Sequence, residues 1–242
     1  MKDDVIKRIC LWSGPRNIST ALMYSFAQRE DTQVFDEPLY AYYLNNSKAS
    51  KYHPDSEKIM SSMETNGNKV IDMMMGSHTK QVVFFKNMTH HLLNLDRSFL
   101  TNTVNIILTR NPVEMLPSFA KVIKNPSMSD VGYALQIDLL NYLHERGLNP
   151  LVVDSTKVLL NPKKELMYLC KRINIPYNDN MLIWKAQPLK EDGIWAKHWY
   201  TNIHKSEGFI KYKPKTEPFP KELNGLLEYC IPLYEELIEY SA

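Results

Sequence analysis

The chain has 242 residues, a net charge of +2, and 44% hydrophobic against 23% charged residues. That length supports a large α/β core, that composition excludes a disordered chain, and that charge gives no case for a nucleic-acid or membrane partner. Three widely spaced cysteines, Cys10, Cys170 and Cys230, exclude a disulfide framework and lack zinc spacing, and the charged start MKDDVIKR reads as neither signal peptide nor membrane span, so the expected location is the cytoplasm.

Residues 5–12 read as a short apolar strand and 19–30 as a helix with apolar positions at helical spacing. Between them lies Ser13-Gly14-Pro15-Arg16-Asn17-Ile18-Ser19-Thr20. A strand turning sharply into a helix frees backbone N–H groups at the turn, and the helix dipole favours an anion there. Arg16 adds a planar, permanently charged fork, and Ser19 and Thr20 add hydroxyls, either of which suits an N-cap. The stretch suits a phosphate or sulfate. It is not a Walker A loop, because the second glycine and its lysine are missing.

Thr32–Pro38 reads as a second strand that delivers Asp36 and Glu37 to the carboxyl edge of a parallel sheet, where ligands of α/β folds bind. Residues 40–54 read as a loop or irregular helix forming a lid. Ser56–Asn66 reads as a helix capped by Asp55 or Ser56. Gln81–Lys86 and Val104–Arg110 are near-continuous apolar runs, each ending in a cation, as buried parallel strands are. Pro112 starts a helix carrying Ser118. Residues 129–147 read as another helix, closed by Gly147. Pro150–Asp154 is a further strand, and Pro162–Ile173 is a helix after a capping Asn161. From about Tyr177 the chain turns loop-rich, then ends in an amphipathic helix, Glu222–Tyr240, kinked at Pro232. The alternation implies an α/β fold with a parallel sheet of about four or five strands and helices on both faces. No linker divides the chain, so 1–242 is expected to be one domain whose last third, about 177–242, covers the site. Tyr40, Tyr42, Tyr43 and the tryptophans Trp184, Trp195 and Trp199 suit either core or an aromatic pocket.

Arg110 at a strand end and Ser118 eight residues later form a second constellation, able to converge on one phosphate. With the first loop it resembles the sulfotransferases that use 3′-phosphoadenosine 5′-phosphosulfate (PAPS). Their first loop often reads P-x-S-G-[ST]-T or P-R-S-G-[ST]-T, and Pro15-Arg16-Asn17-Ile18-Ser19-Thr20 matches it at proline, arginine, serine and threonine. Their second motif, R-[ND]-P-x-[DE]-x-x-x-S, is matched by Arg110–Ser118. Trp195–Tyr200 and Ile203–Phe209 are similar to a bacterial-type branch sometimes labelled branched-chain aminotransferase-like.

The resemblance implies a P-loop-type three-layer fold and transfer of a sulfonate from PAPS to a small-molecule hydroxyl or amine, leaving PAP, without a metal. It implies that Pro15, Arg16, Asn17, Ile18, Ser19 and Thr20 hold the 5′-phosphosulfate. Arg16 would also stabilise the leaving oxygen. Arg110 and Ser118 would hold the 3′-phosphate, under a loop carrying Lys205, Ser206 and Gly208. Lys86 matches the lysine of the family's K-x-H, but Met88 stands at its histidine. The general base is then His90, with His91 beside it, or Glu37 if burial raises its pKa. Ile18 replaces the loop glycine, so the loop must differ locally. An ATP-dependent phosphotransferase and a non-catalytic PAP or PAPS binder are the rival readings. The acceptor is unnamed by the sequence, and the oligomeric state stays open, a homodimer included.

Overall fold

The computed structural model describes residues 6–214 and 216–241. Five strands, β1 (Lys7–Ser13), β2 (Thr32–Asp36), β3 (Val82–Met88), β4 (Val104–Thr109) and β5 (Leu151–Asp154), form one parallel sheet in the order β2-β3-β1-β4-β5. The strands are apolar on both sides because both sheet faces are covered. Alternate side chains go to opposite cores. Cys10, Trp12, Val83, Phe85 and Ile107 enter one, and Ile9, Leu11, Val82, Phe84, Ile106 and Leu108 enter the other.

The helices are α1 (Ser19–Ala27), α2 (Tyr40–Asn46), α3 (Ser56–Ser62), α4 (Gly67–Met75), α5 (Pro112–Phe119), α6 (Met128–Val131), α7 (Tyr133–His144), α8 (Ser155–Leu160), α9 (Pro162–Arg172), α10 (Ala196–Trp199) and α11 (Asn224–Glu239). Helices α4, α5, α7 and α11 cover the first core, and α1, α8 and α9 the second. The fold is the expected three-layer α/β arrangement. Asn161 caps α9 as expected, accepting from Lys164 N at 3.1 Å, and Asn111 caps α5, accepting from Val113 N at 2.9 Å. Among the described residues no helix is long and apolar enough to cross a membrane.

Four local expectations are corrected. Residues 40–54 do not form a lid: Tyr40–Leu44 are buried in α2, where aromatic packing overrides the polar character of the stretch. The helix expected over 56–66 stops at Ser62, because Asn66 begins the next one, accepting from Asn68 N and Lys69 N. Asp55 does hold the cap position of α3, but its side chain makes no cap bond and pairs instead with Lys197 and His198, each at 2.6 Å. The helix expected over 129–147 is divided by Gly132 at φ 82.

Candidate active site

The first loop leaves β1, the central strand, and enters α1 through an unusual backbone. Arg16 and Ile18 both lie in the left-handed region, at φ 58 and φ 61. For a β-branched residue this conformation is disfavoured by about 1–2 kcal/mol. Ile18, not Ser19 or Thr20, holds the N-cap position, and no side chain caps α1. Both hydroxyls are therefore helical residues, and the first-turn N–H groups are left for a ligand. The loop is braced from behind. Asn17 donates from Nδ2 to the Leu108 carbonyl at 3.0 Å, and Ser155 Oγ lies 2.8 Å from the Asn17 carbonyl oxygen.

The two phosphate motifs meet. Arg16 donates from Nε to Ser118 Oγ at 3.2 Å and from Nη1 to the Trp199 carbonyl at 3.1 Å. Arg110 donates from Nη1 to the Arg16 carbonyl at 2.9 Å and pairs through Nη2 with Glu114 at 3.1 Å. Its Nε is buried with no partner. Burial, then the charge of Arg110, lower the Arg16 pKa. Two guanidiniums held this close, one with an unspent donor, form a site that an anion would relieve.

A cavity of about 460 Å³ opens beside them. Pro15–Thr20, Arg110 and Ser118 line one end; Glu37, Lys86, Tyr40, Tyr43, His53, His90 and His91 line the other. The C-terminal segment closes it with Trp195, Trp199, Tyr200, Ser206, Gly208, Lys211 and Lys213. Lys205 is exposed and does not line the cavity, whereas Lys211 and Lys213 do. Ser206 spends its hydroxyl on the fold, donating to the Ile203 carbonyl at 2.9 Å and accepting from Trp184 Nε1 at 3.2 Å. Gly208 has a packing reason of its own: a Cβ there would come 2.7 Å from the Leu182 carbonyl oxygen.

At the inner end Lys86 is the register partner of Asp36 on the neighbouring parallel strand, so the two side chains leave the same face. Lys86 Nζ reaches Asp36 Oδ1 at 2.7 Å, Glu37 Oε1 at 2.5 Å and the Tyr200 hydroxyl at 2.6 Å. All three ammonium protons are engaged, so Lys86 holds carboxylates rather than facing the cavity with a free charge. Tyr200 in turn donates to Asp36 at 2.8 Å and accepts from Trp195 Nε1 at 3.2 Å. Glu37 sits at φ 47, a third left-handed residue at the site.

Burial raises the Glu37 pKa, against the pull of Lys86 and helped by Asp36. The Lys86 pKa is also raised: burial opposes its charge, but Asp36 and Glu37 outweigh it. The histidines go the other way. Burial lowers His90 to about 3 and His53 to about 4, and lowers His91 well below its ordinary value. Met88 N donates to His91 Nδ1 at 3.4 Å, which leaves the proton of the neutral ring on Nε2, 3.7 Å from Glu37 Oε2. His90 is thus a neutral and weakly basic ring, while Glu37 is shifted toward the working range of a general base. Among the described residues no group of His, Cys, Asp or Glu is arranged to hold a metal.

Sequence reasoning missed Tyr200, Ser155, Lys211 and Lys213. The alternation Lys211-Tyr212-Lys213 was the available signal for the lysines; nothing local marks the other two.

A family profile described as "Sulfotransferase domain" matches residues 7–240. Two Arabidopsis thaliana proteins, Branched-chain-amino-acid aminotransferase-like protein 1 and protein 2, are 41% and 38% identical over 229 and 228 residues. Each match covers 93% of this chain and 40% of the relative, so the chain spans less than half the length of these relatives. Among solved structures, the sulfotransferase domain from the curacin biosynthetic pathway superposes with a TM-score of 0.56 at 16% identity, covering 93% of this chain and 97% of that one. A sulfotransferase from Alicyclobacillus acidocaldarius gives 0.56 at 9% identity, covering 96% and 94%. At those identities the likeness is one of fold.

Proposed function

The chain belongs to the sulfotransferase-domain family, and from that membership we propose that it transfers a sulfonate from PAPS to a hydroxyl or amine of a small-molecule acceptor. One observation carries the reading. Arg16, Arg110 and Ser118 converge at an uncapped helix N-terminus, on a cavity whose far end presents a buried carboxylate.

The donor set fits the nucleotide. The backbone of Asn17–Thr20 and the Arg16 fork hold the 5′-phosphosulfate; Arg110, with its unspent Nε, and Ser118 take the 3′-phosphate, under Lys211 and Lys213. When bound, PAPS supplies a sulfonate whose bond to the 5′-phosphate oxygen breaks, with its electron pair, as the acceptor atom bonds to sulfur. Arg16 neutralises the charge that grows on that phosphate oxygen and, being always protonated, acts electrostatically and not as an acid. Glu37 takes the acceptor's proton at Oε2. Lys86 fixes the other oxygen, Oε1, and Tyr200 and Asp36 fix Lys86. His90 is too weakly basic to compete for this proton at neutral pH. The whole chain acts as one unit, its segment from about 177 onward closing the cavity. The three free, buried cysteines suit a reducing compartment such as the cytoplasm.

Calorimetric titration with PAP, ATP and AMP, with and without magnesium, tests the reading. Tight, magnesium-independent binding of PAP supports it. Preference for ATP with magnesium overturns it in favour of a phosphotransferase. PAP binding with no sulfonate transfer under any condition would leave a binding protein.

A further inference from the structure

The two ends of the cavity carry opposite charge. The donor end has Arg16, Arg110, Lys211 and Lys213. At the inner end the one lysine, Lys86, is already matched by two carboxylates, Asp36 and Glu37. Its three histidines are neutral, because burial keeps His53, His90 and His91 unprotonated.

Asp130 then stands out. It lines the cavity and is only 8% exposed. Tyr52 donates to its Oδ1 at 2.7 Å, and Ser127 donates to its Oδ2 from N at 2.8 Å and from Oγ at 2.5 Å. These bonds hold the carboxylate ionised and lower its pKa, against the cost of burial. Among the described ion pairs none includes Asp130. Tyr52, which donates to it, packs ring to ring on His53 at 5.1 Å, which places Asp130 beside the inner end.

Both oxygens of Asp130 are hydrogen-bonded, one by Tyr52 and one by Ser127 in the capping box of α6, so the charge is held in place at the cavity wall with no countercharge among the described ion pairs, and a cationic ligand group would complement it. The surroundings suit an ammonium group. Tyr43 lies against His90 with ring centroids 4.5 Å apart, and Tyr40 stacks on His91 at 5.3 Å and meets Trp195 edge to face at 5.1 Å, which makes an aromatic wall. His90 Nδ1 and His91 Nε2 are buried without hydrogen-bond partners.

We propose that the acceptor is a small hydroxyl compound that also carries an ammonium group, received by Asp130 and His90 beside the aromatic wall of Tyr40 and Tyr43 while its hydroxyl lies toward Glu37. The inference rests on the sulfotransferase reading and extends it. An acceptor bearing a carboxylate would add negative charge beside Asp130 and Glu37 with no cation to meet it. The donor, a polyanion, is steered to the opposite end by the same asymmetry.

Tyramine, tyrosol and 4-hydroxyphenylacetate test this, since they share a phenol and differ chiefly in the charge of the tail. Their affinities are measured by calorimetry on the free protein and on the protein loaded with PAP. The expected order is tyramine first, by about tenfold over tyrosol, with 4-hydroxyphenylacetate weakest. Asp130→Asn should erase most of the tyramine advantage while leaving PAP affinity unchanged. Should that variant melt early, His90→Phe keeps the ring and removes the nitrogen, and is expected to weaken tyramine but not tyrosol. Equal binding, a carboxylate preference, or no binding of any of the three overturns the proposal. Failure of PAP to bind counts against the donor assignment, and the charge order on the free protein still decides this one.

Discussion

The two ends of the cavity solve different problems. The donor end is built mainly from two local motifs: one loop supplies Arg16 and the α1 N-terminus, one strand–helix turn supplies Arg110 and Ser118, and Lys211 and Lys213 join them from the C-terminal segment. The inner end is built from residues far apart in the chain, with Asp36 and Lys86 separated by 50 positions and Asp36 and Tyr200 by 164. Anion recognition needs donors that point one way, which a turn provides. Acid–base chemistry needs a carboxylate whose environment is controlled on every side, which only tertiary packing provides. The donor end should therefore tolerate change in stability but not in affinity, and the inner end the reverse.

Glu37→Gln should sharpen that contrast most. PAP release from PAPS is expected to fall by about 10²–10⁴-fold, with PAP affinity unchanged by calorimetry. If activity survives, a different residue takes the proton. Lys86→Met leaves two carboxylates in the interior and should lower unfolding stability by about 3–5 kcal/mol, read as an early melt; a melt like the parent's would break the comparison. Arg110→Ala removes a charged hydrogen-bond donor, worth about 1.5–3 kcal/mol, and should weaken PAP about 10- to 100-fold with little change in ATP binding and in melting temperature. Unaltered PAP affinity would remove Arg110 from the donor site.

The smallest expected effect is on pH. His53 and His90 titrate at about 4 and about 3 in the folded chain, against about 6.5 unfolded. The unfolded chain then binds more protons between these values, so their contribution is intact above pH 6.5 and is lost as pH falls toward 4. Melting temperature should drop by a few degrees from pH 7 to pH 5, and His90→Asn should reduce that drop. An identical drop in the variant would mean that other groups set it.

The same contrast explains what the sequence disclosed. The sheet was legible because Val82–Phe85 is apolar throughout and Val104–Leu108 is apolar but for Asn105. Both phosphate motifs were legible because their geometry is local. Helix α2 was left open between loop and irregular helix, since Tyr40–Tyr43 owe their helical state to burial against distant residues such as Trp195 and Ala196. Asn66 read as a helix end because its type suits either end; only its bonds to Asn68 N and Lys69 N make it a start. Asp36 and Glu37 were placed at the sheet edge, but the residue that fixes Asp36 and Lys86 there, Tyr200, comes from a distant segment and was not singled out. Lys205 was named where Lys211 and Lys213 line the cavity: Ser206 and Gly208 line it too, but the Lys205 side chain is exposed, and the turn through Ser206–Gly208 is held against residues 182–184.

Tyr200 also sets the order in which this chain can mature. The Lys86 ammonium and the Asp36 carboxylate come together as soon as β2 and β3 pair, but the third arm of the cluster comes from a segment made more than a hundred residues later. Until that segment docks, three charges at the sheet edge lack their aromatic cover and remain wet, and the cavity has no roof. A nascent chain ending near residue 180 should thus carry its sheet in a loosened, protease-sensitive state and tighten abruptly once residues 195–200 leave the ribosome.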